Sequence, residues 1–504
     1  MGAEPRHPRG LIVLYATEVW ERFSFYGMRA LLVLYLNDGV LGEHRFSKVI
    51  GSGLVTNLFG QPASALETQA LSSTLNELYS GIAYVTPILG GVVSDWLLGA
   101  RTTLLLGGFL MAFGHLCMAF EATFLIGLVL LVLGNGGFKP TVTTMLGHLY
   151  EAPDLAGLRD SGFAIFYTGI NVGALVAPLA CGALQQHFGY DVGFGAAGVG
   201  MCVGLVTFLL GSPWLRLGGV RTQATRPTVE ADDNDGSVES QQDQESLLPR
   251  LKEPPTCTET VEASTGGATA AVSPMPAASG MATMLALAGL CGLVIPFWVP
   301  FEQAANTVPL FVRDLTNRDV LPGGYAFPTA WLQSFNPLFC IVLMPLLTSL
   351  WAWQRRRGLE PSPMMKMAMG SGLQGVGWTI FSLGSVGVTP GAKAPLALPV
   401  ASLFLLAIGQ LYMCPVGLAL VSRCCPPHAR STAVGLWFLA GGLGGGLAGP
   451  VGALYGAWPA TRFFALLGGI SFAAAASMAA CAPRMQRLLA GRYPGDGHDG
   501  HRID

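Results

Sequence analysis

The stretch TEVWERFSFYGMR, residues 17–29, sets Glu18, Glu21, Arg22 and Arg29 inside a run that otherwise reads as apolar. At 100° per residue, Glu18, Glu21, Arg22, Phe25, Tyr26 and Arg29 fall within one arc of roughly 140° on a helix. Each ionised side chain at mid-bilayer costs about 2.5–3.5 kcal/mol on insertion scales; four cost roughly 10 kcal/mol, against about 5 returned by a dozen Leu, Ile, Phe and Val. That face must therefore look into protein or a water-filled cavity. The four charges could be a helix-pairing network and nothing more, but a buried ion pair is weak support for stability. Two further groups argue for chemistry: Lys139 in GNGGFKPTV, and Glu302 in FWVPFEQAAN beside Pro296 and Pro300. Isolated ionisable residues at membrane depth carry protons or charged solutes. Prolines flanking Glu302 predict a broken helix where a cavity accepts the freed backbone groups.

The elements that must position these residues follow from hydropathy. Of 504 residues, 51% are apolar and only 12% are charged, with 67 glycines, about half the charge of a soluble protein. Apolar runs of about 20 residues fall at 11–37, 71–93, 103–120, 122–144, 161–184 and 191–211, then 283–311, 330–352, 364–386, 396–421, 431–456 and 460–483. Long runs without alternation are helices rather than barrel strands. The expected fold is an all-α membrane protein of twelve transmembrane helices in two six-helix bundles, 1–211 and 282–483. Between them, 212–281 is rich in Glu, Asp, Gln, Ser, Thr and Pro and cannot bury enough apolar surface to fold alone. A tail, 484–504, follows the last span. Arg101, Arg159, Arg355, Arg356, Arg357, Arg423 and Arg430 crowd the loops on the side of the termini, whereas the other side holds Arg45, Lys48, Arg313, Arg318, Lys393 and Arg462. The basic excess predicts that both termini are cytoplasmic.

Several function classes are poorly supported. The ten cysteines show no zinc or disulfide spacing, so neither metal nor cofactor is expected. GNGG at 134–137 and GLGGG at 442–446 lack the Lys and Ser/Thr of a phosphate loop and read as close helix packing by small residues. No His/Ser/Asp constellation converges at one depth, which argues against an enzyme. A net charge of −2 gives no reason to expect nucleic acid. DQESLL (Asp243, Leu247, Leu248) has the acidic-dileucine form read by sorting adaptors. Cys424 and Cys425, beside the inner face, read as ordinary helix-end residues rather than lipidation sites.

At this point the chain resembles the proton-coupled oligopeptide transporters of the major facilitator superfamily. EVWERFSFYGMRALL is similar to that family's first-helix ExxER signature, and GGVVSDWLLGAR (Asp95, Arg101) to the superfamily's loop motif. GNGGFKPTVTTMLG and FAIFYTGINVGALVAP resemble the fourth- and fifth-helix motifs; FWVPFEQ, WLQSFNPLFCIVLMP, LYMCPVGLALV and STAVGLWFLAGGLGGGLAG resemble helices seven, eight, ten and eleven.

The resemblance implies proton coupling by Glu18, Glu21, Arg22, Arg29 and Glu302, with Arg29 and Glu302 linking helices one and seven. It implies that Arg22 and Lys139 hold a substrate carboxylate, that Tyr26, Tyr84, Asn171 and Asn336 line the peptide backbone, and that Trp437 walls a side-chain pocket. Without the resemblance, Tyr84 and Trp437 read equally as packing aromatics. Asp95 and Arg101 are expected to latch the inner face. Two departures stand out. Gln410 replaces a glutamate that in relatives holds the substrate's amino group, and Phe25 replaces a tyrosine.

The function expected is alternating-access, proton-driven import of di- and tripeptides or peptide-like zwitterions. A different small solute such as nitrate or histidine is the alternative that Gln410 favours, and a non-transporting sensor acting through the linker is a third. The membrane expected is plasma, endosomal or vacuolar.

Overall fold

The computed structural model describes residues 6–41, 45–62, 64–152, 155, 158–215, 277–424 and 430–489. Nearly all of the expected linker, the dileucine residues Asp243, Leu247 and Leu248, the end of the tail and Cys425 lie outside the described residues.

The first half contains α1 (Arg9–Tyr35), α2 (Ser52–Phe59), α3 (Ala65–Val93), α4 (Ala100–Met118), α5 (Phe124–His148), α6 (Arg159–Phe188) and α7 (Tyr190–Gly211). The second contains α8 (Ala277–Glu302), α9 (Thr307–Leu315), α10 (Phe335–Arg356), α11 (Pro363–Gly384), α12 (Ala397–Cys424), α13 (Arg430–Ala457) and α14 (Ala460–Leu489). Two-residue strands, Thr316–Asn317 and Ala394–Pro395, pair in parallel and tie the end of α9 to the loop before α12. Successive long helices alternate in direction. The first therefore begins and the last ends on one face, here the terminal face; the opposite face is distal.

Ten of the described helices, or helix runs, are long and apolar enough to cross a membrane. The long helices outside that set are α1, with its charges, and α11, which carries Lys366, Ser371 and Gln374. Their polar groups are buried. Ser371 Oγ donates to the Ser471 carbonyl at 2.8 Å and Gln374 Nε2 to the Phe297 carbonyl at 3.1 Å, so packing against α14 and α8 supplies what lipid would not.

Glycine sets how closely the helices approach. A Cβ on Gly90 of α3 would sit 1.9 Å from the Gly136 carbonyl oxygen of α5, and one on Gly81 would meet the Gly442 carbonyl of α13 at 3.0 Å. Both glycine runs are thus helix-packing surfaces, as expected from their apolar setting. The strip of α13 facing α3, including Gly442, Gly446 and Gly449, joins the two halves.

Two boundaries differ from expectation, and the break expected at Glu302 is found. The second span starts at Ala65, six residues early, where Ser64 Oγ caps the helix by accepting from the Glu67 N–H at 3.2 Å. The short α2 was not expected. The run 283–311 is not one helix: α8 stops at Glu302, and the turn that follows is closed by bonds such as Gln303 N to Pro300 O at 3.2 Å and Ala305 N to Glu302 O at 3.0 Å. Pro296 and Pro300 lie inside α8; Pro309, in the first turn of α9, has no N–H and would clash with the carbonyl of residue 305 in a continuous helix.

Candidate substrate and proton site

The charged face of α1 is buried against small residues. Gly173 of α6 lies under the Val19 carbonyl and Arg22, and Gly204 of α7 under Trp20 and the Thr17 carbonyl. Glu18 (3% exposed), Glu21 (0%) and Arg22 (4%) form one cluster at that depth. Arg22 Nη2 donates to Glu21 Oε1 at 2.6 Å, and Nε also contacts Glu21 Oε2. Arg22 Nε lies 3.2 Å from Glu18 Oε1, one helical turn back. Two carboxylates thus share one guanidinium, and Glu18 Oε2 is buried with no partner. The Phe25 ring lies under Arg22, 5.2 Å from Cζ to centroid, a cation–π contact without the hydroxyl that a tyrosine would add.

Lys139 on α5 faces the same cluster. Its ammonium feels the charges of Arg22, Glu21 and Glu18, yet it forms no ion pair among the described residues. It lies instead over two rings, Tyr84 at 5.4 Å and Phe438 at 5.9 Å. An ammonium flanked by aromatic faces, with no ion pair of its own among the described residues, is available to an anion.

Arg29 and Glu302 join the halves. Arg29 Nη2 donates to Glu302 Oε2, their side chains being 10% and 2% exposed. Arg29 Nε and Glu302 Oε1 remain without partners. The break after α8 places Glu302 at a helix end, so this ion pair sits at a joint rather than along a rigid rod.

A neutral polar wall stands on the second half. Cys340 Sγ lies 3.3 Å from Asn336 Oδ1 and 3.6 Å from Gln410 Oε1, which brings α10 and α12 together. Tyr26, Tyr84, Lys139, Asn171, Asn336 and Gln410 are all half-buried. Asn171 Nδ2 donates to the Tyr167 carbonyl of its own helix at 3.2 Å. Trp437 departs from its expected place. It is 3% exposed in the apolar core of the second half, with Gly417 making room for its ring, so the packing reading fits it better than a cavity wall. Asp95 is exposed, and Arg101 Nη2 donates to Ser212 Oγ at 3.3 Å within the first half. Cys424 is buried.

Sequence reasoning missed Glu77 of α3, which is fully buried. The signal was available: a carboxylate within an apolar run, in TLNELYSG, under the same rule that exposed Glu302.

On the distal side the halves are closed upon each other. Arg313 Nη1 donates to Asp38 Oδ1, and Tyr190 Oη to Asp38 Oδ2 at 3.1 Å. Ser334 Oγ reaches the Leu175 carbonyl at 2.7 Å, Trp331 Nε1 the Leu179 carbonyl at 2.9 Å, and Gln69 bridges to Gly452 and Gly456 at 3.0 and 2.9 Å. Val33, Leu34 and Leu310 seal the space below the Asp38–Arg313 pair.

Residues 101–461 match the POT family. The chain is 30% identical to the peptide transporter YePEPT of Yersinia enterocolitica over 88% of each chain. It is 29% identical to a di-/tripeptide transporter of Lactococcus lactis over 92% of each. It is also 28% identical, over 96% of each, to YclF of Bacillus subtilis, a transporter described as uncharacterized. Among solved structures, a mutant of a peptide transporter POT in complex with alafosfalin aligns with a TM-score of 0.75 at 27% identity over 96% of each chain.

Proposed function

The chain belongs to the POT family, a family of transporters, and from that membership we propose that it is a proton-coupled symporter. Its substrates are di- and tripeptides or peptide-like zwitterions, and its terminal face is cytoplasmic. The observation that carries this reading is Lys139: an ammonium near the Glu18–Glu21–Arg22 cluster, ion-paired with no described residue, on the first half of a molecule whose second half presents Asn336 and Gln410. Lys139 receives the substrate carboxylate, with Arg22 behind it. The neutral wall receives the amino end.

Transport proceeds by alternating access, the halves rocking about the midplane site. The distal closure described above is then the inward-facing arrangement. Protonation of Glu302 releases Arg29, and protonation within the Glu18–Glu21 pair loosens Arg22, so proton occupancy biases which side opens. The membrane potential adds about 2.3 kcal/mol per charge per 100 mV, enough to drive accumulation. Expected at Glu302→Gln is loss of concentrative uptake with substrate exchange retained; a variant that still accumulates substrate on an imposed pH gradient would overturn the coupling role.

Transport of a different solute is favoured by one feature, the neutral Gln410–Cys340–Asn336 group, which cannot neutralise an ammonium. Proteoliposomes with an inward proton gradient decide between the two. Accumulation of labelled dialanine, abolished by a protonophore, supports peptide symport. Proton-driven uptake of nitrate or histidine without peptide supports the second reading.

A further inference from the structure

Glu77 is a buried carboxylate to which the scheme above gives no task. Its Oε1 accepts from Asn76 Nδ2 at 2.8 Å, and its Oε2 is buried without a partner. The strip of α13 facing α3 places it. A Cβ on Gly449 would lie 3.3 Å from the Glu77 Cβ, and a Cβ on Gly445 would lie 4.0 Å from the Glu302 Cγ. Gly445 and Gly449 are one helical turn apart, about 5–6 Å, so the two carboxyl side chains meet neighbouring positions of the same strip. Arg29 of α1 and Glu302 of α8 are the charges that Glu77 feels. Tyr26 and Tyr84 feel the charges of both Arg29 and Glu302, and α13 contributes glycines at 445 and 449.

The charge count of this pocket does not close. Two carboxylates face one guanidinium, and that guanidinium is already bonded to Glu302. A second ionised carboxylate would be a buried charge without a counter-charge, whereas like carboxylates sharing a site keep a proton between them. The unpartnered oxygens, Glu77 Oε2 and Glu302 Oε1, give that proton two places to reside. We propose that Glu77 holds the one proton of the Glu77–Glu302 pair while Glu302 is bonded to Arg29 and the halves are bridged, making Glu77 a proton-holding residue of the coupling mechanism on α3. Losing that proton leaves two ionised carboxylates around Arg29, and their repulsion acts on the α3–α13 seam and the α8 joint. The proposal rests on the proton-coupled reading.

The test uses purified full-length protein and the isosteric variant Glu77→Gln, whose amide copies a neutral carboxyl. Expected at neutral pH is a melting temperature at or above that of the parent. A variant that folds poorly or melts lower would show that Glu77 is needed as a charge and would overturn the proposal. In proteoliposomes, the protons moved per dialanine are expected to fall by one and the pH profile of uptake to flatten. Unchanged stoichiometry and profile would also overturn it. A parent protein that moves dialanine without protons would sink the coupled reading, and the melting comparison would still decide whether Glu77 is neutral.

Discussion

Lys139 shows what burial does to a single side chain. Its stem is held by α5 and its ammonium by two ring faces, with no direct ion pair among the described residues although the Glu18 and Glu21 charges reach it. Substituting it removes the charge that receives the substrate's carboxylate; hydrogen bonds to charged groups contribute about 1.5–3 kcal/mol. Lys139→Gln is therefore expected to raise the KM for dialanine by about 10- to 100-fold, with a much smaller effect on dialanine amide, measured by competition in proteoliposomes. Glu18, Glu21, Arg22, Arg29, Lys139 and Glu302 were all legible because charge inside an apolar run costs too much to be incidental. Glu77 was missed for a related reason. A span read as beginning at 71 leaves it near a helix end, among Thr74, Asn76 and Tyr79, whereas a helix capped at Ser64 carries it several turns in.

At the scale of elements, close approach decides more than hydropathy. Gly90 and its neighbour Gly91 provide a matched pair, since a Cβ on Gly90 collides with the Gly136 backbone while one on Gly91 meets nothing within 4 Å. Overpacking costs about 1–3 kcal/mol or more where backbone cannot yield. Gly90→Ala is expected to lower the yield and melting temperature of folded protein, and Gly91→Ala to leave both unchanged. The elbow between α10 and α11 offers a second test. Glu360 accepts from Arg355 Nε at 2.7 Å and from Lys366 Nζ at 2.6 Å. These partners, Arg355 foremost, pull its carboxyl down from 4.5 to about 2. A depressed folded-state value means that the stabilisation is full above 4.5 and is lost as pH falls toward 2. Because Arg355 is largely exposed, the gain is limited to about 1 kcal/mol. Glu360→Gln should lower the melting temperature slightly at pH 7, and the difference should shrink steadily below pH 4.5.

For the molecule as a whole, the distal closure decides which face can take up substrate. Asp38 sits just beyond α1 and Arg313 on α9, so their ion pair spans the halves at the rim, while Arg29–Glu302 spans them in the interior. The rim pair is partly exposed, at 24% and 36%, and an exposed pair contributes about 0–1 kcal/mol. That corresponds to a shift of up to about fivefold in the open fraction. Asp38→Arg is expected to raise the labelling rate of a cysteine placed at the buried Val33, and adding Arg313→Asp to restore slow labelling. Equal rates in all three proteins would mean that the apolar seal alone holds the distal side.

The sequence by itself determined the helical membrane class, most of the spans and the residues whose burial needed a reason. Each of those follows from local quantities, hydropathy over about 20 residues and the cost of charge in lipid. Only the tertiary structure decided which charges meet. It paired Arg29 with Glu302, left Lys139 without an ion pair among the described residues, set Trp437 in the core and brought Glu77 to the pocket of Arg29 and Glu302. Those outcomes depend on helices far apart in the chain, brought close where glycine permits backbone to approach backbone. No window of sequence along a single helix contains that information.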